Sequence, residues 1–447
     1  MISNPHPQQS KIMQIFRKIF FATMVASAVS AHAATEISYW LWDSNQLPAY
    51  KACAAEFQKQ NPDITVKVTQ TAWSDYWTGI STGFVSGSAP DVFTDHLARY
   101  PEFALNEQLV DLAPLIKQDK VDTGVYVGEL FKLWSKEGKQ YGLPKDWDTI
   151  AIFYNKDMMK AAGVDPATLA NLDWNPKDGG SFQKLIAKLS IDAAGKDGTS
   201  AGFGPKKVKQ YGLVMPGNPD AYGQSEWSHF AVSNGFKFND GLWTSKFYYD
   251  DPKLAETFKW IVDAGKKGFI IPARDCNESN ASGLFAAGKG ATILHGSWMI
   301  NWYKENCKFE VGIAPLAKGP EGRKSMFNGL ADSIWIGSKH KPEAWKWVKF
   351  LGSPEAQKIV ASYAVVFPGV REDVDTAKEA FVKKGMDVSP FVEEGTDPKV
   401  TFLFPVTDHA SDVVRIMQAA IDRIMLSGAD PASTLKSANQ EVNALFQ

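Results

Sequence analysis

Cysteine is scarce: Cys53, Cys276 and Cys307 are the only three in 447 residues. That excludes a small scaffold held by disulfides, so burial of apolar surface must hold the fold. Charge of one sign is missing as well. Forty-eight basic residues stand against 50 acidic ones, a formal charge of −2, which argues against a nucleic-acid partner. Internal repeats and low-complexity tracts are absent, and 44% hydrophobic with 22% charged residues excludes a disordered or collagen-like chain. At roughly 150 residues per unit the length gives about three domains, or two if they are large α/β lobes.

One apolar run stands out, at the start. Lys11, Arg17 and Lys18 precede the eleven residues Ile19 to Val29, and Ala31-His32-Ala33 follows as a small-residue cleavage site. A membrane span needs about 20 apolar residues, so this run reads as a signal peptide cut after Ala33. Its removal leaves 45 basic and 50 acidic residues, a charge of −5. No later segment is long and apolar enough to span a bilayer, and Cys53 lies too far from the new N-terminus to carry a lipid there. The expected product is a soluble protein in an oxidising compartment, most simply a bacterial periplasm. Two states of the cysteines stay open: a Cys276–Cys307 bridge, or three buried thiols.

After the leader, strand and helix alternate. Glu36 to Leu41 is β-rich, Pro48 to Gln60 is helical and stopped by Asn61-Pro62-Asp63, and Ile64, Val66 and Val68 alternate as in a strand. Ser74 is expected to cap a second helix to about Val85. Gly87-Ser88-Ala89-Pro90 is a turn, and Asp91 to Thr94 is a third strand. Strands separated by single helices imply βαβ units and a parallel sheet. Ligands of such sheets sit outside the carboxyl ends of the strands, which directs attention to Trp40, Trp42, Asp43, Trp73, Asp95 and His96.

The machinery of several chemistries is lacking. There is no H-E-x-x-H and no paired C-x-x-C for a metal, no G-x-S-x-G elbow, no G-x-G-x-x-G after a strand and no P-loop. No metal and no cofactor is therefore expected. Glycosidase chemistry needs two carboxylates on opposite sides of a bond. Asp146 and Asp148 would instead share one face of a strand, which suits two hydrogen bonds to one ligand.

Aromatic residues, by contrast, are abundant. Of fifteen tryptophans, Trp42, Trp73, Trp147, Trp227 and Trp298 fall at strand ends or in loops, whereas Trp347 belongs to an apolar helix face with Ala344, Val348 and Leu351. A sugar offers apolar C–H faces and a rim of hydroxyls, which an indole with nearby Asp, Asn or Arg satisfies together. Loops 175–181, 195–209 and 215–226 are long, and the last carries Tyr222, Gln224, Glu226 and Trp227.

These pieces resemble the extracellular solute-binding proteins of ABC importers, the carbohydrate group to which maltose-binding protein belongs. The resemblance is carried by Ser86-Gly87-Ser88-Ala89-Pro90-Asp91-Val92, Pro144-Lys145-Asp146-Trp147-Asp148-Thr149, Gly296-Ser297-Trp298, Asn328-Gly329-Leu330-Ala331-Asp332-Ser333 and Ala344-Trp345-Lys346-Trp347. It implies a two-lobed periplasmic-binding-protein fold (type II-like), parallel-sheet α/β lobes joined by hinge strands. Lobe one would be 34–149 plus 313–367, and lobe two 150–312 plus 368–447. The implied function is capture of a mono- or oligosaccharide by a monomer and its delivery to membrane permease subunits, without chemistry on the ligand. A secreted carbohydrate-active enzyme is the alternative. The implied ligand-binding residues are Trp42, Asp43, Trp73, Asp95, Trp147, Asp148, Trp227, Trp298, Asn328 and Arg371, with Trp73 and Trp298 as stacking platforms. The role of 195–209 is unassigned.

Overall fold

The computed structural model describes Met1 and residues 34–217 and 221–447. The signal peptide reading falls outside the described residues. Strands β1 (Thr35–Leu41), β2 (Ile64–Gln70) and β3 (Val92–Asp95) run parallel, with β1 in the middle and Tyr39 opposite both Val68 and Val92. Helix α1 (Leu47–Gln60) links the first two. Pro48 sits in its first turn, and Ala49, Cys53 and Phe57, one turn apart, form its buried stripe. Helix α2 (Trp73–Ser86) begins at Trp73, so Ser74 lies inside its first turn rather than capping it. It ends at Gly87, whose φ of 73° suits a residue without a Cβ.

Farther along come the hairpin β4 (Ser135–Lys136) and β5 (Lys139–Gln140), then β6 (Leu143–Asp148) and, across Thr149, β7 (Ile150–Asn155). Every residue of β6 and β7 is buried, as expected of strands covered on both faces. The chain changes sheets at Thr149. β7 joins a second sheet with β8 (Ile191–Asp192), β9 (Val208–Val214), β10 (Gly290–Gly296) and β11 (Val311–Ala314), in the order β11-β7-β10-β9-β8. The first sheet is completed by β12 (Ser325–Ile334), β13 (Phe367–Pro368) and β14 (Thr401–Leu403). Its order is β13-β6-β12-β3-β1-β2, with β14 beside β12.

Both sheets are mixed. The βαβ part is parallel, while β12 runs against β3 and β6, and β7 against β10 and β11. Strands that leave one lobe and later return enter the sheet from the far end, which the local strand–helix pattern does not display.

Trp347 is fully buried against Tyr39 and Phe57, as its helix face predicts. All three cysteines are free thiols; Cys53 and Cys276 are buried, and burial pushes each up to about 12. Residues 195–207 form a built loop, and Val208 and Lys209 already belong to β9. The Asp192 carboxylate accepts the backbone N–H groups of Ala194, Lys196 and Gly204 at 2.8–2.9 Å, and Asp197 accepts from Thr199 and the Lys188 ammonium.

Candidate functional site

A cavity of about 1210 Å³ lies between the two sheets and takes its walls from both. One wall is aromatic. Trp42 follows β1, Trp73 opens α2, and their rings meet edge to face at 5.0 Å. Trp42 also packs on Tyr76 and Trp77, which anchors it, whereas Trp73 stays 44% exposed. That is unusual for an indole in a core and normal for one waiting for a partner. His96, after β3, lies 5.7 Å from the Trp73 ring, and Arg99 sits over Trp77 at 5.6 Å. Burial drives His96 down to about 3, so it is neutral, and its Nδ1 accepts the N–H of Ala98.

The floor comes from β6 and β12. Asp148 lies opposite Asn328 in the register, and Asp146 opposite Leu330. Asp148 Oδ1 accepts from Gln224 Nε2 at 2.7 Å and its Oδ2 from Asn328 Nδ2 at 3.1 Å. Asp146 Oδ1 accepts the Leu330 N–H at 3.1 Å, while Asp146 Oδ2 and Asn328 Oδ1 have no hydrogen-bond partner among the described residues. Burial lifts Asp146 to about 7 and Asp148 well above the usual carboxyl range, the latter helped by the charge of Asp146. Asp43 is also raised by burial, although Asn45 N–H and Gln46 Nε2 both donate to it.

The opposite wall is built at the end of β10. His295, Trp298 and Trp302 line it, with Gln224 and Glu226 from the 215–226 loop and Ser411 and Gln418 from the helix Ala410–Met425. His295 is held by the Tyr303 hydroxyl at 2.7 Å and lowered by burial to about 4. Trp298 folds back over Gly296, where an added Cβ would sit 1.8 Å from the indole. Gly296 has φ −81° and ψ 165°, which any residue adopts. Gly296→Ala is therefore expected to preserve the fold, displace Trp298 and weaken ligand binding about threefold or more, the scale of one aromatic contact. Calorimetric titration of the folded variant checks it, and unchanged affinity would remove this ring from the site.

Trp42, Asp43, Trp73, Trp147, Asp148, Trp298 and Asn328 thus all border one cavity. Among them Trp147 is only 1% exposed, stacked between Phe327 and Phe367, so it shapes the floor from beneath. Three expected residues lie elsewhere. Asp95 is fully buried behind the wall, where it accepts from the His96 N–H and the Ser333 hydroxyl, and burial raises it to about 8. Trp227 is fully buried among Phe236, Phe238 and Phe258. Arg371 is exposed and donates to the Tyr126 carbonyl at 2.8 Å. Sequence reasoning left Arg99, His295, Trp302 and Gln418 out of the site and offered Asp146 only as the partner of Asp148. His295 could have been found, since it stands near the carboxyl end of β10, three residues before Trp298. Gln418 gives no local signal, because it shares a helix whose apolar face dominates its pattern.

A family model for bacterial extracellular solute-binding proteins matches residues 52–388, three quarters of the chain. The chain belongs to that family. Among curated relatives of this solute-binding protein, the arabinooligosaccharide-binding protein of Bacillus subtilis is 26% identical over 375 residues, covering 81% of this chain and 79% of the relative. Maltodextrin-binding protein MdxE of the same organism is 25% identical, covering 87% and 84%. Among solved structures, M. tuberculosis UspC is similar with a TM-score of 0.72 and 26% identity, over 92% of this chain and 99% of that one. An ABC substrate-binding protein of Listeria monocytogenes, solved with cycloalternan, has a TM-score of 0.78 at 22% identity over 92% and 99%. The solute-binding protein accordingly has the two-lobed α/β fold, and the cavity is the cleft between the lobes.

Proposed function

We propose that this solute-binding protein captures an oligosaccharide in its interlobe cleft and presents it unaltered to the membrane permease of an ABC importer. The observation that carries the reading is the juxtaposition of Trp42, Trp73 and Trp298 on facing walls with unpaired acceptor oxygens on the floor between them. Such a lining answers both surfaces of a sugar ring. The volume exceeds the roughly 300–1,000 Å³ of ordinary small-molecule pockets, which favours more than one ring. Relatives named for arabinooligosaccharide and maltodextrin binding support the same class.

The protein works after export, as a periplasmic monomer cut after Ala33. On the bounds expected from the sequence, lobe one is 34–149 and 313–367, lobe two is 150–312 and 368–447, and the chain pivots near Thr149, Gly312 and Phe367. The strand pairings favour shifting those bounds, since all of β11 (Val311–Ala314) joins the second sheet while Pro368 and β14 (Thr401–Leu403) join the first. A ligand touching both walls favours the closed form by its differential contacts, and the closed form is what the permease reads. The floor carboxyls are binding groups. Asp146 and Asp148 lie on one face of β6, and both Asp148 oxygens are engaged by amides, so the pair does not straddle a bond.

Titration calorimetry with a panel of neutral mono- and oligosaccharides, followed by chromatography of the recovered sugar, tests the reading. One-to-one binding with intact sugar is expected. Recovery of cleaved sugar would replace the reading with that of a secreted carbohydrate-active enzyme.

A further inference from the structure

The floor of the cleft offers acceptors in excess of donors. Asp146 is 3% exposed and Asn328 2%, both border the cavity, and each keeps one oxygen without a partner among the described residues. They are diagonal neighbours on the paired strands β6 and β12, a separation that side chains on one face can bridge together. Asn328 Nδ2 donates to the Asp148 carboxyl at 3.1 Å, which leaves its Oδ1 over.

Lys145, next to Asp146, does not reach this face. Strand alternation carries it to the other side of the sheet, where its ammonium donates to the Tyr39 and Thr94 hydroxyls, both at 2.8 Å, and lies 3.5 Å from Asp332. Trp147 Nε1 has no acceptor among the described residues, but its ring is held between Phe327 and Phe367.

A sugar hydroxyl has one proton to donate, whereas an ammonium has three and a charge opposite to that of an ionised Asp146. We infer that Asp146 and Asn328 form a subsite for the protonated amino group of an amino sugar. This rests on the oligosaccharide reading above and narrows it. Burial and the neighbouring carboxyls hold Asp146 up at about 7, and a bound cation would remove that strain on its charged form.

The test pairs sugars that differ only at one position: glucosamine with glucose, galactosamine with galactose, mannosamine with mannose, and the β-1,4 trisaccharides of glucosamine and glucose. Titration calorimetry of the wild-type protein is run at neutral pH, where an amino sugar still carries its proton and Asp146 can give up its own. On the scaffold that binds best, the amino sugar is expected to bind about tenfold tighter than its hydroxyl counterpart, the gain from a neutral to a charge-assisted hydrogen bond. Asp146→Asn, verified as folded by its melting curve, should reduce that ratio to within about threefold. Equal or weaker binding of the amino sugar on every scaffold overturns the inference while leaving the oligosaccharide reading standing, as does a ratio that survives Asp146→Asn. Absence of binding by any sugar of either panel overturns both.

Discussion

Trp298→Ala is expected to weaken sugar binding about tenfold or more while leaving the unfolding midpoint of the ligand-free protein nearly unchanged, and Trp227→Ala is expected to do the reverse. Both residues looked alike as loop tryptophans, and their surroundings separate them. Trp298 is half-buried on the cavity wall beside His295, with its ring folded over Gly296. Removing it takes away contact with the ligand, and the loss of an apolar platform worth about 1.5–3 kcal/mol corresponds to at least about a factor of ten. Trp227 is 0% exposed and packs on three phenylalanine rings, so truncation leaves a large cavity and costs about 3–5 kcal/mol of folding stability. Denaturant unfolding and titration calorimetry on both variants read the two effects separately. Trp298→Ala with unaltered affinity, or Trp227→Ala with unaltered stability, would reverse the assignment of these rings.

The same contrast explains how far the site could be read from the chain. The rule that ligands lie beyond the carboxyl ends of strands led to Trp42, Asp43 and Trp73, and all three border the cavity. It went astray at Asp95 because Asp95 is still within β3, paired in register with Ala331, and its side chain turns into the sheet; His96, one residue on, is the one that lines the cleft. Loop composition selects Trp227, yet Gln224 and Glu226 line the cleft while Trp227 turns onto the core, and no local pattern distinguishes a loop residue that covers a core from one that faces a cleft. Arg371 rests on the family resemblance alone, and a carbonyl of Tyr126 holds it outside. The contributions of Ser411 and Gln418 depend on where a helix from the end of the chain docks against the first lobe. Long-range docking leaves no trace in residue spacing.

Lys145→Met is expected to cost about 3–5 kcal/mol of folding stability at neutral pH, and less as the pH is lowered. Lys145 is 2% exposed, its ammonium lies 3.9 Å from the Tyr50 ring centroid, and it is the cation facing Asp332. Without it, Asp332 is a buried carboxylate whose remaining support is the Tyr39 hydroxyl at 2.8 Å and that of Thr94 at 3.3 Å. Burial already raises Asp332 above its usual value of 3.8, and loss of the opposing charge raises it further. The folded variant then keeps a proton that the unfolded chain has released, so its stability falls as pH rises from the unfolded value through the folded one. Denaturant melts of wild type and variant across that range should show the penalty shrinking toward acid pH, and Asp332→Asn in the variant should recover part of it. A penalty independent of pH would mean that the lost ammonium matters only for its packing. Because Lys145 and Asp146 are consecutive on β6, the ion pair on one side of the sheet fixes the strand whose other side carries the carboxyls bordering the cleft. A variant that folds at acid pH should therefore bind sugar less tightly than wild type, through displacement of Asp146 and not through any contact of its own.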